Sequence, residues 1–439
     1  MASESVPDHQ DHSPGTDHAL ALADTDLLRF ATIGSVDDGK STLIGRLLHD
    51  AKTLLQDQIE AVATTSARRG HEGLDLSLVT DGLRAEREQG ITIDVAYRYF
   101  ATPTRTFIVG DNPGHAQYTR NMATGASTAE VAVVLVDARH GLTTQTRRHV
   151  TVAALLGIRQ FALCVNKMDL VDWSEERFDS VVADFLAVTD RLGVEAVIPI
   201  PMSALHGDNV VDRSTRTPWF SGPALLEYLE TVSPAPVGDA TGARIPVQLV
   251  LREPGDGRPT RLYAGMVHGG PLCPGDPVVV LPSGQTSTVE RIVVGDDELV
   301  VALPGRSVAI TLADDIDVAR GDVVANSASA PAVAREIEAT VCWFNEDPLG
   351  AGARLVVKQG TRVERTVVRE VVSHLDIERL DHSEDLDELA FNDIGIVRFA
   401  TAGPLVVDRY DDDRTLGAFV IIDEKSDRTI GAGMIRAWS

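Results

Sequence analysis

The run Gly34–Ser41 (GSVDDGKS) constrains this chain more than any other feature of its sequence. It has the spacing GxxxxGK[ST] and stands between the strand-like Leu28–Gly34 and the helix-like Lys40–Asp50. In such a loop the glycines let backbone N–H groups approach phosphate oxygens, Lys40 reaches the β and γ oxygens, and the Ser41 hydroxyl can ligate Mg²⁺. The residues of this predicted phosphate loop are Gly34, Ser35, Val36, Asp37, Asp38, Gly39, Lys40 and Ser41.

Short apolar runs alternate with amphipathic stretches as far as Val232. Buried strands separated by helices predict an α/β fold, a doubly wound and mainly parallel sheet with its ligand at the carboxyl ends of the strands. The predicted strands are Leu28–Gly34, Thr106–Gly110, Val131–Val136, Phe161–Val165 and Val194–Ile200, and the predicted helices are Lys40–Asp50, Glu175–Leu192 and Gly222–Val232.

After a linker rich in Pro, Gly and Ala the sequence becomes all β in character. Short strand-like runs between Gly and Pro turns predict two successive β-barrels. These runs are Pro246–Leu251, Pro277–Leu281, Thr288–Val294, Ser307–Leu312, Thr361–Val372, Gly395–Ala400 and Ala418–Asp423. The predicted organisation is an acidic disordered tail at 1–26, a P-loop domain at 27–236, the linker at 237–243, and β-barrel domains at 244–329 and 332–439.

Charge and composition restrict the partners and the compartment. The chain has 40 Lys and Arg against 65 Asp and Glu, a net charge of −25, which disfavours nucleic acid as a partner. No apolar run approaches the roughly 18 residues of a membrane-spanning helix, and the acidic N-terminus lacks a signal-peptide pattern, so we expect a cytoplasmic protein. Cys164, Cys273 and Cys342 form no CxxC pair, and we interpret them as core thiols.

A second phosphate-sensing element is predicted where another strand ends, at Asp111, Asn112, Pro113, Gly114 and His115 (DNPGH). An aspartate there can hold Mg²⁺ through a water molecule, and the Gly114 N–H can sense a γ-phosphate. Asp before Pro-Gly is also a common turn, but the P-loop upstream favours the nucleotide interpretation. His115 is either a solvated turn residue or the group that orients the attacking water.

Base recognition is predicted from Asn166, Lys167, Met168 and Asp169 (NKMD), again after an apolar strand. Guanine offers two donors, N1–H and the exocyclic amine, and the Asp169 carboxylate can accept from both. Adenine has no equivalent pair, so this arrangement selects GTP over ATP. Asn166 would fasten the loop, and Lys167 would lay its aliphatic stem on the base.

Two further assignments depend on their order in the chain. Ser203, Ala204 and Leu205 follow the next strand and would present a backbone N–H to the guanine carbonyl oxygen. Thr92, within Asp81–Phe100, is a candidate second Mg²⁺ ligand that closes over the γ-phosphate, and the alternative is an ordinary surface threonine on a β-strand. Its position between the first two elements favours the ligand.

The chain resembles the translational GTPases, the class of elongation factors Tu and 1-alpha, in six segments that occur in the same order. These segments are GSVDDGKS, DGLRAEREQGITID, DNPGH, NMATGAS, NKMD and SAL. A narrower resemblance is to the large GTPase subunit of bacterial sulfate adenylyltransferase, and it covers the whole chain beyond the tail. The blocks that carry it are DDGKSTLIGRLLHD, QGITIDVAYRYF, HAQYTRNMATGAS, LVDARHGLTTQTRRH, GDNVVDRS, PWFSGPALLEYLE, LPSG, DDIDVARGD, PLVVDRY and IGAGMI.

This resemblance implies a GTPase domain with two β-barrels, GTP or GDP and Mg²⁺ as ligands, Mg²⁺ on Ser41 and Thr92 with Asp111 behind a water molecule, and His115 as the catalytic residue. It implies a small catalytic subunit as partner in a heterodimer. That partner would form adenosine 5′-phosphosulfate and diphosphate from ATP and sulfate, the first step of sulfate assimilation, while GTP hydrolysis drives the synthesis. The alternative is a translation-type GTPase that delivers charged tRNA, and the sulfate-family blocks favour the former.

The sequence departs from the resembled pattern at two positions beside the second element. Asn112 stands where Thr or Ala is usual, and Gly110 stands where Ala is usual. Both changes bear on the movement of this segment and on the rate of hydrolysis. Some members of the family carry a fused adenylylsulfate kinase with a P-loop of its own, and the single P-loop here leads us to expect no kinase activity.

Overall fold

The computed structural model describes residues 26–51, 76, 92–233, 242–253 and 260–439, and every structural statement below concerns these residues. The predicted tail up to residue 25, most of Asp81–Phe100 and most of the predicted linker lie outside them. Two compact units are present, one within residues 1–146, 158–189 and 194–234, the other within 147–157, 190–193 and 235–439. No helix in the described ranges is long and apolar enough to cross a membrane.

A six-stranded sheet forms the centre of the first unit. Its strands are β1 (Asp26–Ile33), β2 (Ala96–Ala101), β3 (Arg105–Asp111), β4 (Val131–Asp137), β5 (Gln160–Asn166) and β6 (Ala196–Pro201). They are arranged in the order β2-β3-β1-β4-β5-β6, and only β2 is antiparallel to its neighbour. Every residue of β4 is buried, as expected for a central strand covered on both faces.

Helices cover both faces of this sheet. On one face, leucines of the helices Lys40–Asp50 and Leu225–Thr231 join the apolar cluster that contains Phe30 and Phe107. On the other face, Phe185 of the helix Glu175–Arg191 packs against Phe161 of β5 with ring centroids 6.4 Å apart. The helices before residue 235 are α1 (Lys40–Asp50), α2 (Thr119–Ala126), α3 (Thr144–Leu155), α4 (Glu175–Arg191) and α5 (Leu225–Thr231). A further short helix, α6 (Arg414–Gly417), belongs to the second unit. The predicted doubly wound α/β fold class is confirmed.

The carboxyl ends of the parallel strands bring the predicted loops to one edge of the sheet. Strand β1 ends at Ile33, immediately before the P-loop, and β3 ends at Asp111. Strand β5 ends at Asn166, and β6 ends at Pro201, two residues before Ser203. The topology therefore places four predicted site segments side by side.

A nine-stranded antiparallel sheet follows in the second unit. Its strands are β7 (Ala243–Pro246), β8 (Leu249–Glu253), β9 (Thr260–Met266), β10 (His268–Gly269), β11 (Pro277–Leu281), β12 (Gln285–Val294), β13 (Asp297–Glu298), β14 (Ser307–Leu312) and β15 (Val323–Asn326). The sheet wraps around a single apolar cluster, because Ile245, Tyr263, Val278, Ile292 and Ile310 come from five of its strands and pack together.

A closed six-stranded barrel completes the second unit. Its ring runs β16-β22-β19-β18-β23-β24 and back to β16. The strands of this region are β16 (Ala332–Trp343), β17 (Leu349–Gly350), β18 (Arg354–Gln359), β19 (Arg362–Asp376), β20 (Asp381–Ser383), β21 (Glu388–Leu389), β22 (Ile394–Val407), β23 (Ala418–Ile422) and β24 (Thr429–Trp438). The prediction of β-rich domains after the linker is therefore confirmed.

Several sequence predictions need correction in detail. The predicted strand Pro246–Leu251 is two strands, because the chain leaves β15 as its partner after Pro246 and pairs with β9 from Leu249. Asp26, predicted in the tail, is the first residue of β1. Ala243, predicted in the linker, is the first residue of β7. Cys273 is only half-buried, so the core-thiol interpretation holds for Cys164 and Cys342 alone.

A buried arginine joins the two sheets of the second unit. Arg244 of β7 donates from Nε to Asp408 Oδ2 at 2.8 Å, and Asp413 Oδ2 lies 3.7 Å from the same nitrogen. The Asp413 carboxylate also accepts the backbone N–H groups of Thr415 and Leu416 at the start of α6. Burial raises the pKa of Asp408, although Arg244 opposes that shift. The arginine charge therefore offsets the burial of two carboxylates.

We expect Arg244→Met to lower the free energy of unfolding by about 3–5 kcal/mol at neutral pH, because it leaves the buried Asp413 and the half-buried Asp408 carboxylates without their cation. Carboxyl groups whose pKa is raised in the folded state become neutral as the pH falls, and a neutral carboxyl no longer needs the cation. The loss of unfolding free energy in Arg244→Met should therefore become smaller between pH 8 and pH 5. Thermal denaturation across that range measures it. Arg398→Met, which breaks exposed pairs with Glu338 and Glu370, is the control and should change little. A deficit independent of pH would contradict this account.

Candidate nucleotide site

One cavity of about 460 Å³ opens at the carboxyl edge of the first unit's sheet. Segments from four predicted elements line it, together with Thr92. The lining residues are Val36, Asp37, Gly39, Lys40, Ser41, Thr42, Thr92, Gly114, His115, Asn166, Lys167, Asp169, Leu170, Ser203 and Leu205. The structure thus brings together residues that lie more than a hundred positions apart in the chain.

The P-loop runs directly into α1, whose first residue is Lys40. Gly39, the N-cap, has φ of 97°, and a Cβ there would lie 2.4 Å from Asn166 Nδ2, so both backbone and space demand glycine. The Lys40 ammonium donates to the carbonyls of Gly34 (3.1 Å) and Ser35 (2.7 Å). The free N–H groups at the start of α1 and this cation make the loop an anion-binding site.

Burial shifts the pKa values of two charged side chains in the P-loop, Lys40 and Asp38. Lys40 is almost fully buried, which lowers the pKa of its ammonium, while the carboxylates of Asp38 and Asp111 favour the charged form. Burial likewise raises the pKa of Asp38, whose Oδ2 accepts the Ser35 N–H at 2.6 Å. The carboxylate neighbours therefore offset part of the cost of burying the ammonium, close to where phosphate oxygens would lie.

The segment after β3 packs onto the P-loop. A Cβ on Gly114 would lie 2.5 Å from Lys40 Nζ and 2.8 Å from the Ser35 carbonyl carbon, so only glycine allows this approach. His115 is exposed at the rim of the cavity and caps the short 3-10 helix Ala116–Tyr118, accepting from Gln117 N at 3.4 Å.

Asn112, predicted within the nucleotide-binding segment after β3, has its side chain in the protein interior. Its side chain is fully buried and points back into the domain, where Nδ2 donates to the Thr32 carbonyl at 3.2 Å. It packs against Gly125 of α2. Gly110 is the other departure from the family pattern. A Cβ at this position would lie 3.6 Å or more from its nearest neighbouring atoms, so an alanine would fit there. Asn112 therefore contributes its backbone alone to this edge of the site.

Asn166 ties the base loops to the P-loop. Its Nδ2 donates to the Asp38 carbonyl at 2.7 Å, and its Oδ1 accepts from Ala204 N at 2.9 Å. Lys167, with φ of 61°, donates from Nζ to the Asp37 carbonyl at 2.5 Å. Both residues of the base loop thus bond backbone carbonyls of the phosphate loop.

Three other predicted site residues have their side chains in the protein interior. Met168 and Ala204 are buried, and Pro113 is too. The Met168 N–H bonds the Met202 carbonyl at 3.1 Å, which joins the two base loops. These residues can serve a ligand only through their backbone.

Thr92 lies in an irregular segment before β2, which begins at Ala96. The alternative interpretation of Thr92 as a β-strand residue is therefore wrong, and its position on the cavity wall agrees with the ligand interpretation.

Sequence reasoning missed a carboxylate that holds the base loop. Asp137, the last residue of β4, lies 2.9 Å from Lys167 Nζ and accepts from Arg139 Nε and Nη2. Burial alone would raise the pKa of Asp137, but the hydrogen bonds from Arg139 and Lys167 outweigh it and hold the pKa far below the usual range. Its place at the carboxyl end of a fully buried strand was the available signal. Arg46, which bonds the carbonyls of Ala204 and Leu205, had no such signal.

Comparison with known proteins identifies the class. Residues 25–235 match the family described as the elongation factor Tu GTP binding domain, and residues 336–436 match the GTP-eEF1A C-terminal domain-like family. Fold, cavity and family match together define a guanine-nucleotide-binding protein of the translational GTPase superfamily.

Closer relatives narrow this class. The chain is 49% identical over 412 residues to sulfate adenylyltransferase subunit 1 of Bacteroides fragilis, covering 93% of this chain and 86% of that protein, and 47% identical to that of Colwellia psychrerythraea, covering 93% and 88%. It is 50% identical over 413 residues to the bifunctional enzyme CysN/CysC of Mycobacterium tuberculosis, covering 94% of this chain and 67% of that protein. The chain belongs to the sulfate adenylyltransferase subunit 1 family.

We expect Gly125→Ala to destabilise the protein, because the new Cβ would lie 2.0 Å from Asn112 Oδ1 and 3.0 Å from Val95 Cγ1. Overpacking of this kind costs about 1–3 kcal/mol. In an Asn112→Ala background the same substitution should cost less, since the closest atom is gone. A double-mutant cycle measured by thermal denaturation gives the coupling, and equal costs in both backgrounds would contradict the contact.

Proposed function

We propose that this chain is the GTP-binding and GTP-hydrolysing large subunit of a sulfate adenylyltransferase. With a small catalytic subunit it forms adenosine 5′-phosphosulfate and diphosphate from ATP and sulfate, and GTP hydrolysis drives this first step of sulfate assimilation. The observation that carries the proposal is the bonding of the Asn166 and Lys167 side chains to the P-loop around one cavity, in a chain of this family.

Guanine is selected by the Asp169 carboxylate on the cavity wall. It accepts the two ring-edge donors of guanine, which adenine does not offer, and its desolvation is uncompensated against the wrong base. Lys167 lies along the base with its ammonium fixed by Asp137. Leu170 and Leu205, both more than half exposed, provide apolar surface beside the base.

The phosphates bind the P-loop and Lys40. The lysine ammonium now donates to carbonyls of its own loop, and charged β and γ oxygens are stronger acceptors than those carbonyls. Nucleotide binding therefore draws Nζ toward the phosphates. The backbone N–H groups at the start of α1 complete the cradle.

The residues present fit Mg²⁺. Ser41 and Thr92 offer hydroxyl oxygens on the wall of one cavity, and the buried Asp111 carboxylate favours the nearby positive charge of Lys40. Oxygen ligands of this kind suit Mg²⁺, which keeps several waters in phosphate sites. When bound, the ion neutralises charge on the β- and γ-phosphates.

His115 orients the attacking water. Because its Nδ1 accepts the Gln117 N–H, the neutral ring carries its proton on Nε2 and donates from that atom. A donor at the exposed rim can hold a water or a developing negative charge, which lowers the barrier without raising nucleotide affinity. A γ-phosphate that orders Thr92 and Asp111 can then bias an interface with the small subunit between two states.

Asp169→Asn should weaken GTP binding by about a hundredfold or more, because two charge-assisted hydrogen bonds are lost. Xanthosine triphosphate should bind this variant more tightly than it binds the parent protein, because its 2-carbonyl oxygen accepts a hydrogen bond from the new amide. Competition against a fluorescent GDP analogue measures both affinities. Asp172→Asn, three residues further on and outside the cavity lining, is the matched control and should leave the preference unchanged. Unaltered GTP affinity in Asp169→Asn would defeat the assignment.

The proposal as a whole is tested by reconstitution with a small sulfate adenylyltransferase subunit. The chain alone should hydrolyse GTP slowly and form no adenylylsulfate, whereas the mixture should release diphosphate from ATP and sulfate, faster with GTP. His115→Ala should keep GTP affinity but lose about a hundredfold or more in GTP turnover and the GTP acceleration with it.

Gln117→Ala keeps the backbone N–H that bonds His115 and should behave as the parent protein. GTP-independent synthesis by the mixture, or selective binding of charged tRNA by the chain, would overturn the proposed function.

A further inference from the structure

The short 3-10 helix that carries Asp169 is bounded by strained backbone at both ends. The helix spans Met168–Val171, and Lys167 before it has φ of 61°. After it, Asp172 and Trp173 have φ of 51° and 55°. Two successive non-glycine residues in the left-handed region are uncommon and persist only where neighbouring structure holds them.

Trp173 closes this helix through its backbone. The Trp173 N–H bonds the Met168 carbonyl at 2.9 Å, and the Asp172 N–H bonds the same oxygen. Asp169 lies within the loop that these bonds close. The Trp173 backbone therefore closes the turn that carries Asp169.

Trp219 holds that backbone from outside. Its indole Nε1 donates to the Trp173 carbonyl at 3.2 Å. The indole ring is fixed in turn by Phe178, at a centroid distance of 5.3 Å, and by Phe220 at 6.3 Å. The Arg216 guanidinium lies 5.8 Å from the centre of the Trp173 ring.

The same segment supports the second base loop. Asp208 accepts the Ser203 N–H through its carbonyl at 3.2 Å. Asn209, buried with φ of 58°, donates from Nδ2 to the Pro201 carbonyl at 2.7 Å and to Thr217 Oγ1 at 3.1 Å. Residues 208–219 thus bond both loops that face the base.

We propose that Trp219 is a positioning residue for guanine recognition: its indole N–H locks the left-handed turn at Trp173 and so aims the Asp169 carboxylate at the exocyclic amine of the base. This inference rests on the proposed function, in which Asp169 reads guanine. The inference predicts a change in the preference for guanine over hypoxanthine. A misdirected carboxylate loses most against a base that carries the amine, and least against hypoxanthine, which lacks it.

The test compares GDP with IDP on the full chain, by competition against a fluorescent GDP analogue. Trp219→Phe keeps an aromatic ring and removes the N–H donor. We expect GDP affinity to fall about three- to tenfold, the effect of losing one neutral hydrogen bond, and the GDP-over-IDP ratio to fall by a similar factor. Phe185→Leu is the matched control, because it weakens a different aromatic contact of the same unit, that with Phe161, and leaves the Trp219 donor in place. It should lower the thermal midpoint and leave the ratio unchanged.

A lower thermal midpoint in Trp219→Phe with an unchanged GDP-over-IDP ratio would overturn the proposal, since it would show a structural role alone. If that variant folds poorly, 3-benzothienylalanine at position 219 removes the N–H within an almost identical shape, and the same fall in ratio is expected. Failure of the proposed function looks different. In that case the parent protein itself would show no preference for GDP over IDP or ADP.

Discussion

One buried side chain, Asn166, holds the nucleotide site together. Its amide group donates to the carbonyl of Asp38 in the P-loop and accepts the N–H of Ala204 in the last base loop. A single planar group thus fixes the distance between the phosphate-facing and base-facing loops. Gly39 makes this possible, because any Cβ there would strike the amide nitrogen. Together with the bond from Lys167 to the Asp37 carbonyl, this bridge joins the phosphate-facing and base-facing loops around the cavity.

The charges around this bridge are balanced locally. Lys40 and Asp38 are both buried, and each shifts the pKa of the other toward its charged form against the effect of burial. The half-buried Lys167 and the buried Asp137 form a second ion pair, 2.9 Å apart. Buried ions of this kind do not stabilise a fold by themselves, since their desolvation offsets much of their attraction. Their value lies in keeping fixed charges where phosphate and base would lie.

The sequence predicted five of the six strands of the first sheet, the helices α1, α4 and α5, and the loops at the strand ends, because buried strands and the P-loop have strong local patterns. It did not predict β2, α2 or α3. What it missed depends on pairing between distant segments. Asp137 is the register partner of Asn166 in the adjacent strand, so its carboxylate falls beside Lys167, and nothing near Asp137 in the chain indicates that register. The break within Pro246–Leu251 is an exchange of partner strands, which is equally non-local. Asn112 lies in the predicted segment with its side chain turned inward, because Gly125 leaves a space for it.

Backbone strain in the described residues is concentrated at this site. Of eight non-glycine residues with positive φ, five lie in the loops around the cavity, namely Asp37, Lys167, Asp172, Trp173 and Asn209. Most of them are bonded by a side chain or backbone group from another loop, so the loops hold one another in conformations that none would keep alone. The sheet below the loops stabilises the fold of the domain, and the hydrogen bonds between the loops fix their positions around the cavity. Altering one loop contact should therefore change what the cavity recognises before it changes whether the domain folds.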